Sequence, residues 1–405
     1  MIKQIRIKGF KSLQDVCLNL GPLNIFVGTN ASGKSNFLDA LRLLQGLAYG
    51  FTVDEVLNGK PKTSSTQVWE GIRGGSRNAG FLGGHQNGLP PLSTGLVTLG
   101  LVLRLRTIKE DVEYEVTFSS HTVELRSEKL AVGGHAVFEA SGDSPSEFRV
   151  EYCSRSGRKS SRRLNRDRSV LRELVRAGDF STEDADLLER LFGYLVNMQR
   201  LDPDPTILRD YSQTQLAERM GDHGENFAAV VNSIIQDERS KSAYLSWLRQ
   251  LTPADVDDVT ILRGALEEPL LALKEHGRTF PAPVLSDGTL RFAAIAAAFF
   301  QPDRPRILIL EEIENGIHPT RLRLLLDLLK SQGGERPQVM ATSHSPLIMA
   351  WLTDSDYETT FLCKRGQDTG ASIIRPLSEI PRFSELTRSH PAGEMFAEGW
   401  FESVV

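Results

Sequence analysis

Apolar and polar residues alternate from the first residues of the chain. Ile5, Ile7 and Phe10 share one face of a strand, and Val16, Leu18 and Leu20 repeat the pattern after a turn near Lys11-Ser12. The run Leu23-Asn24-Ile25-Phe26-Val27 is short and nearly all apolar, as in a strand covered on both faces. From Asn36 to Leu44 the apolar spacing becomes helical. Residues 50–95, rich in Gly, Ser, Asn and Pro, predict a long irregular connection, a type of loop that usually carries function or moves. From Val97 to Val150 the period returns to two, over Val97–Leu103, Val112–Val116 and Phe148–Tyr152, predicting antiparallel strands with one wet face.

Residues 165–275 read as helical, with stripes at Leu187, Leu188, Leu191, Phe192, Leu195 and Val196 and at Phe227, Val230, Val231, Ile234 and Ile235. Neither stripe lasts the three or four heptads of a coiled coil, so a compact insertion is expected rather than an arm. Alternation of strand and helix resumes over 283–363, with strands at Ile307–Leu310 and Gln338–Ala341 and a helix from Arg321 to Leu329. The pattern predicts an α/β protein with a mixed β-sheet core, an antiparallel β lobe and an inserted helical subdomain. Its expected divisions are 1–160, 161–280 and 281–405. There is no internal repeat.

Composition narrows the class. The 405 residues are 40% hydrophobic and 24% charged, ordinary for a globular protein, and the net charge of −5 attracts no nucleic acid without a local basic patch. No stretch reaches the roughly 20 apolar residues of a membrane span, and the N-terminus lacks a signal-peptide core. Cys17, Cys153 and Cys363 lie far apart without metal-ligand spacing, which suits a reducing cytoplasm.

The chemistry begins at Gly28-Thr29-Asn30-Ala31-Ser32-Gly33-Lys34-Ser35, which fits G-x-x-x-x-G-K-[ST] between a strand and a helix. Glycines let the backbone N–H groups curl toward phosphates, and the helix N-terminus adds positive potential. Lys34 would reach the β/γ-phosphates of ATP and the Ser35 hydroxyl would sit on Mg²⁺. Ile307 to Leu310 followed by Glu311-Glu312 looks like a Walker B strand, with Glu311 a candidate Mg²⁺ ligand and Glu312 the residue that orients the attacking water. Leu285-Ser286-Asp287-Gly288 opens a small-residue helix about twenty residues earlier and resembles the L-S-x-G signature of ABC-type ATPases. An ordinary N-capped helix has the same look, but the order and spacing favour a γ-phosphate site. Glu314-Asn315-Gly316-Ile317-His318-Pro319 resembles a D-loop, and Thr342-Ser343-His344-Ser345-Pro346 puts a histidine just past a strand, where that class keeps its switch histidine.

Together these residues resemble the RecF/SMC-like branch of ABC ATPases, in the group of stand-alone bacterial ATPases with an AAA-type core. The opening Ile5–Leu13, the loop Gly28–Asn36, Glu311–Pro319 and Thr342–Pro346 carry the resemblance, over about residues 1–45 and 283–363. It implies a P-loop NTPase fold of ABC-type architecture. It also implies ATP and Mg²⁺ as cofactors, bound by Gly28, Asn30, Ala31, Ser32, Gly33, Lys34, Ser35, Asn36, Ser286 and Gly288, with Lys34, Glu312 and His344 catalytic. In that class the signature serves the nucleotide of the opposite subunit, which implies a homodimer with two shared sites. Two departures stand out. The usual Walker B aspartate is the longer Glu311, and the Q-loop candidates Gln67 and Gln86 lack a supporting pattern.

Arg155, Arg158, Lys159, Arg162, Arg163, Arg166, Arg168 and Arg172 fall within eighteen residues, opposed only by Asp167. They are candidate phosphate contacts to DNA, although charge runs are more often solvated loops. The leading expectation is therefore an ATP-dependent dimeric switch in DNA repair or defence against foreign DNA. The alternatives are the motor subunit of a membrane transporter and an ATPase that regulates a separate nuclease or other effector. About sixty residues follow His344, too few for a fused nuclease domain. No N-K-x-D motif supports a GTPase.

Overall fold

The computed structural model describes residues 1–61, 69–81, 95–105, 108–142, 144, 146–153, 158–178, 180–251, 256–331, 336–366, 368–381, 383, 387 and 392–397. In chain order come β1 (Ile2–Phe10), β2 (Leu13–Asn19), β3 (Leu23–Val27), α1 (Lys34–Tyr49) and α2 (Val53–Asn58). Next are β4 (Leu96–Leu103), β5 (Val112–Ser119), β6 (Glu124–Val132), β7 (His135–Gly142), β8 (Glu147–Cys153) and β9 (Lys159–Asn165). Then follow α3 (Val170–Ala177), α4 (Thr182–Val196), β10 (Met198–Leu201), α5 (Pro205–Leu208), α6 (Phe227–Ile234) and α7 (Glu238–Leu251). The hairpin strands β11 (Val256–Arg263), β12 (Pro269–Glu275) and β13 (Arg278–Pro281) precede α8 (Asp287–Phe300), β14 (Ile307–Leu310) and α9 (Pro319–Lys330). The chain closes with β15 (Gln338–Ser343), α10 (Pro346–Ala350), β16 (Thr360–Arg365), β17 (Ser372–Pro376) and α11 (Ala392–Ala397).

Three sheets result. The N-terminal hairpin joins the lobe in one antiparallel sheet, β2-β1-β4-β5-β6-β7-β8-β9. The second sheet runs β10-β14-β15-β3-β16-β17, parallel except for its last strand. Its strands are apolar on both faces because both faces are covered. Phe26, Ile307, Ile309 and Met340 belong to one core with α1, α3, α4 and the lobe. Ile25, Val27, Leu308, Leu310, Val339 and Ala341 belong to the other, with α6, α7, α8 and α9. That period of two is the pleat of the sheet.

The parallel pairing assembles the site. Leu310 lies opposite Ala341, and Ala341 opposite Ile25, so β14, β15 and β3 end at one carboxyl edge. The loops after them carry Glu311-Glu312, His344 and Gly28–Gly33. Ligands of open α/β sheets bind at such an edge.

The helical expectation for 165–275 needs correction at two places. Residues 198–201 form β10, paired with the Walker B strand, and 256–281 form the separate antiparallel sheet β11-β12-β13. The apolar residues Val256, Val259, Leu270, Leu271 and Leu273 satisfy this sheet, and the turn between β11 and β12 contains Glu267 with φ of 66°. The helices there do not make a body of their own either: α3 and α4 pack into the first core, α6 and α7 into the second. Gln67, Gln86 and Arg155 lie outside the described residues.

Candidate functional site

The loop between β3 and α1 wraps one ammonium. Lys34 is 4% exposed, and its Nζ donates to the carbonyl oxygens of Gly28 (2.7 Å) and Thr29 (2.8 Å) and to Ser32 Oγ (3.4 Å). Among the described residues it has no carboxylate in an ion pair. Burial lowers its pKa, and the nearby Cys363, Glu312 and Glu314 only partly counter that. A buried cation held by neutral dipoles is poised for an anion. Helix α1 has no side-chain cap at Gly33, so its first N–H groups point in the same direction. A Cβ at Gly28 would lie 2.2 Å from Cys363 O, and one at Gly33 2.1 Å from Ser372 Oγ. Both glycines are thus required by β16 and β17 pressing on the loop, before any phosphate is considered. Asn30 and Ala31 are exposed at the loop's tip, with Ala31 at φ of 61°, and Ser32 is buried. These features fit a nucleotide triphosphate. The Asn36 amide donates to Ser12 Oγ (2.7 Å), which pairs with Ser372 Oγ (2.6 Å).

Lys34, His344 and Glu312 form a continuous chain. Lys34 Nζ lies 3.2 Å from His344 Nδ1, and His344 Nε2 lies 3.2 Å from Glu312 Oε1. His344 Nδ1 also lies 3.0 Å from the Gly28 carbonyl oxygen, so both ring nitrogens are engaged; with the proton on Nε2 the ring donates to the carboxylate and accepts from the ammonium at Nδ1. Burial pushes the Glu312 carboxyl up, but hydrogen bonds from Asn315 and His344 and the charge of Lys34 outweigh it and hold the group below its ordinary value. Glu312 also has φ of 48°, in the left-handed region, and its N–H is fixed by Thr342 Oγ1 at 3.0 Å. Strain kept in place by a neighbouring strand marks a residue whose direction matters. Glu314 Oε1 accepts from the His344 N–H, while its Oε2 is buried without a partner.

Glu311 faces guanidinium groups. Arg200 Nε on β10 lies 2.8 Å from Oε1 and Arg73 Nη1 3.5 Å from Oε2. Arg73 also donates to the Ser35 backbone carbonyl, so one guanidinium touches both residues expected to hold Mg²⁺. Sequence reasoning missed Arg73 and Arg200. Neither lies in a motif, and only the glycine-rich setting Arg73-Gly74-Gly75 hinted at a functional loop.

Ser286 is exposed and caps α8, accepting from the Thr289 N–H at 3.2 Å, and Asp287 pairs with Arg209. Gly288 is packed so tightly that a Cβ would lie 2.5 Å from Gly316 O in the D-loop-like turn. Among the described residues no hydrogen bond or ion pair links Ser286 or Gly288 to residues 28–36. The basic run divides. Arg158, Lys159, Arg162 and Arg163 are exposed on or beside β9, the edge strand of the eight-stranded sheet. Arg166 is corrected out of this surface: it is 7% exposed, donates to Leu125 O and Ser144 O at 3.0 Å, and stacks over Phe148.

Comparison with known proteins agrees with this geometry. Residues 23–350 match the family described as "AAA domain, putative AbiEii toxin, Type IV TA system". The chain is 22% identical over 393 residues to an "ATP/GTP phosphatase" of Helicobacter pylori, covering 91% of this chain and 93% of that one. A short stretch is 44% identical over 46 residues to an "OLD nuclease" of Thermus scotoductus, 11% of this chain and 9% of that protein. Another comparison gives 48% over 44 residues to the "DNA replication and repair protein RecF" of Lactococcus lactis, 11% of this chain and 12% of that protein. These last two matches span only about a tenth of the relatives' lengths. Among solved structures, the Smc head bound to the C-winged helix domain of ScpA superposes with a TM-score of 0.53 at 16% identity, over 93% of this chain and 98% of that one. The fold is that of an SMC-type head, an ABC-type P-loop architecture.

Proposed function

The chain belongs to the AAA-domain family matched over residues 23–350 and is an ATPase of the RecF/SMC-like type, and on that premise we propose that it is an ATP-driven dimeric switch acting on DNA. The observation that carries the reading is the chain of contacts from Lys34 through His344 to Glu312, which joins the phosphate-binding lysine to an ionised carboxylate. Lys34 and the uncapped start of α1 hold the β/γ-phosphates, with the loop from Gly28 to Ser35 wrapped around them. Glu312 orients the attacking water. His344 Nε2–H fixes that carboxylate, and its Nδ1 ties the ring to the phosphate-binding lysine. Ser35 and Glu311 are the residues that would hold Mg²⁺, which when bound offsets the negative charge of the phosphates. Asn36 serves the loop through Ser12 instead of the nucleotide. Positioning and charge stabilisation supply the rate.

Ser286 and Gly288 act in the second copy's site. The exposure of Ser286, and the absence of a bond from either residue to their own loop among the described residues, support sharing across a twofold interface. DNA is engaged by Arg158, Lys159, Arg162 and Arg163 on the β9 edge, in repair or defence against foreign DNA, with a separate effector protein reading the switch. The names of the RecF and OLD relatives support this setting. Cys17, Cys153 and Cys363 are free thiols, in keeping with a reducing cytoplasm, and among the described residues no helix is long and apolar enough to cross a membrane. ATP turnover by wild type, Lys34→Ala and Glu312→Gln, with and without duplex DNA, tests the reading. Lys34→Ala should lose nucleotide binding. Glu312→Gln should keep binding and lose turnover by about 10²-fold or more. Unchanged turnover by Glu312→Gln would overturn its role.

A further inference from the structure

The two residues expected to hold the divalent cation are already bridged by a side chain, at the Ser35 backbone carbonyl and the Glu311 carboxylate. Arg73 sits in the turn Gly71–Gly75, and its Nη2 donates to Ser35 O at 3.3 Å while its Nη1 lies 3.5 Å from Glu311 Oε2. Its third anchor is Asp39 on α1, whose Oδ1 accepts from Nε (3.3 Å) and Nη2 (3.2 Å). Each of these carboxylates has a second, less exposed cation. Lys11 pairs with Asp39, both side chains being 7% exposed, and Arg200 pairs with Glu311. Arg73 is 53% exposed against 13% for Glu311. It is the one member of both pairs that can leave without stranding a buried charge.

We propose that Arg73 is a positioning residue that competes with the divalent cation for Glu311, so that the guanidinium and the metal hold this carboxylate alternately. The proposal rests on the nucleotide-site reading above. A divalent ion at Glu311 Oε2 and a guanidinium at the same oxygen repel one another, and the solvent-screened Arg73 is the weaker competitor. Displaced from Glu311, Arg73 keeps Asp39, so the segment 69–81 stays tethered while its grip on the site changes. Coupling of this kind is reciprocal: whatever pulls Arg73 away tightens the metal, and the metal releases Arg73.

Mn²⁺ is the probe, titrated into the full-length protein with saturating ADP while free Mn²⁺ is read by electron paramagnetic resonance. Arg73→Ala should bind Mn²⁺ about two- to fivefold tighter than wild type, the range set by losing an exposed ion pair. Arg73→Lys should return toward wild type. Combining Glu311→Gln with Arg73→Ala should remove the gain. Equal or weaker Mn²⁺ binding by Arg73→Ala overturns the competition, and Arg73→Gln repeats the test should the alanine variant melt early. ADP binding without metal, by wild type and Lys34→Ala, separates the two levels. If wild type binds ADP through Lys34 and Arg73→Ala shows no gain, only the competition falls. If wild type binds no ADP, the nucleotide-site reading falls and takes the competition with it.

Discussion

Replacing Glu128 should unfasten the helix that backs the P-loop helix. Glu128 is fully buried on β6, yet it accepts from four donors: Tyr114 OH (3.0 Å), Ser169 Oγ (2.8 Å), Val170 N (2.7 Å) and Leu171 N (3.0 Å). Ser169 stands at the N-cap of α3 but does not cap it, so the lobe's carboxylate does the capping from outside. Helix α3 packs on α1, and Arg172 of α3 lies against Gly50 at the end of α1. Glu128→Leu keeps most of the volume and removes the acceptor. Two backbone amides are then left buried without a partner at about 1–3 kcal/mol each. The two hydroxyls can turn elsewhere, and relief of the carboxylate's desolvation offsets part of the loss. The net expectation is about 2–5 kcal/mol. Amide hydrogen exchange at Val170 and Leu171 reads this locally, which suits a chain of this size because its global unfolding need not be two-state. Exchange should quicken by at least about thirtyfold, since each 1.4 kcal/mol is worth a factor of ten. Exchange within threefold of wild type would refute the reasoning.

Three further outcomes follow from the site. Because Glu312 is held below its ordinary value of 4.5, it stays ionised as pH falls toward 5 and protonates only below 4.5; pH profiles of single-turnover hydrolysis should show no loss from this group above about pH 5. Gly288→Ala should disturb the D-loop-like turn, because its Cβ meets Gly316 O at 2.5 Å; turnover should fall while nucleotide binding to Lys34 persists, as fluorescent-nucleotide titration would show. Reversing Arg158, Lys159, Arg162 and Arg163 to Glu should abolish duplex binding and flatten its salt dependence, whereas Arg166→Glu should instead lower the melting temperature through loss of its buried bonds to Leu125 and Ser144.

The core sheet was legible because its strands carry unbroken apolar runs and its loops carry short, ordered motifs. Ile307–Leu310 and Leu23–Val27 could be read directly, and the motif order brought Lys34, Glu312 and His344 into one site. What could not be read was pairing between distant residues. Arg200 lies on a four-residue strand, too short to display a period, and it meets Glu311 only because β10 adds to the edge of the sheet beside β14. The strands at 256–281 were hidden for a related reason. Their apolar clusters Val259-Thr260-Ile261-Leu262 and Leu270-Leu271 fit helix and strand equally well, and their hairpin pairing decided between the two. Arg166 shows the opposite limit. Nothing in a run of arginines distinguishes the one that turns inward beneath Phe148 from those that face water.

If each ATP site is completed by a second copy, mixing subunits will restore turnover to two variants that are inactive alone. Lys34→Ala leaves the signature residues intact, and Ser286→Arg leaves the P-loop intact. In a mixed dimer one site carries both lesions and the other carries neither. Each variant alone should be inactive, and an equal mixture should recover about a quarter of wild-type ATP turnover, half the dimers being mixed with one sound site in each. A mixture no more active than its parents, or full activity in Ser286→Arg alone, would contradict the account.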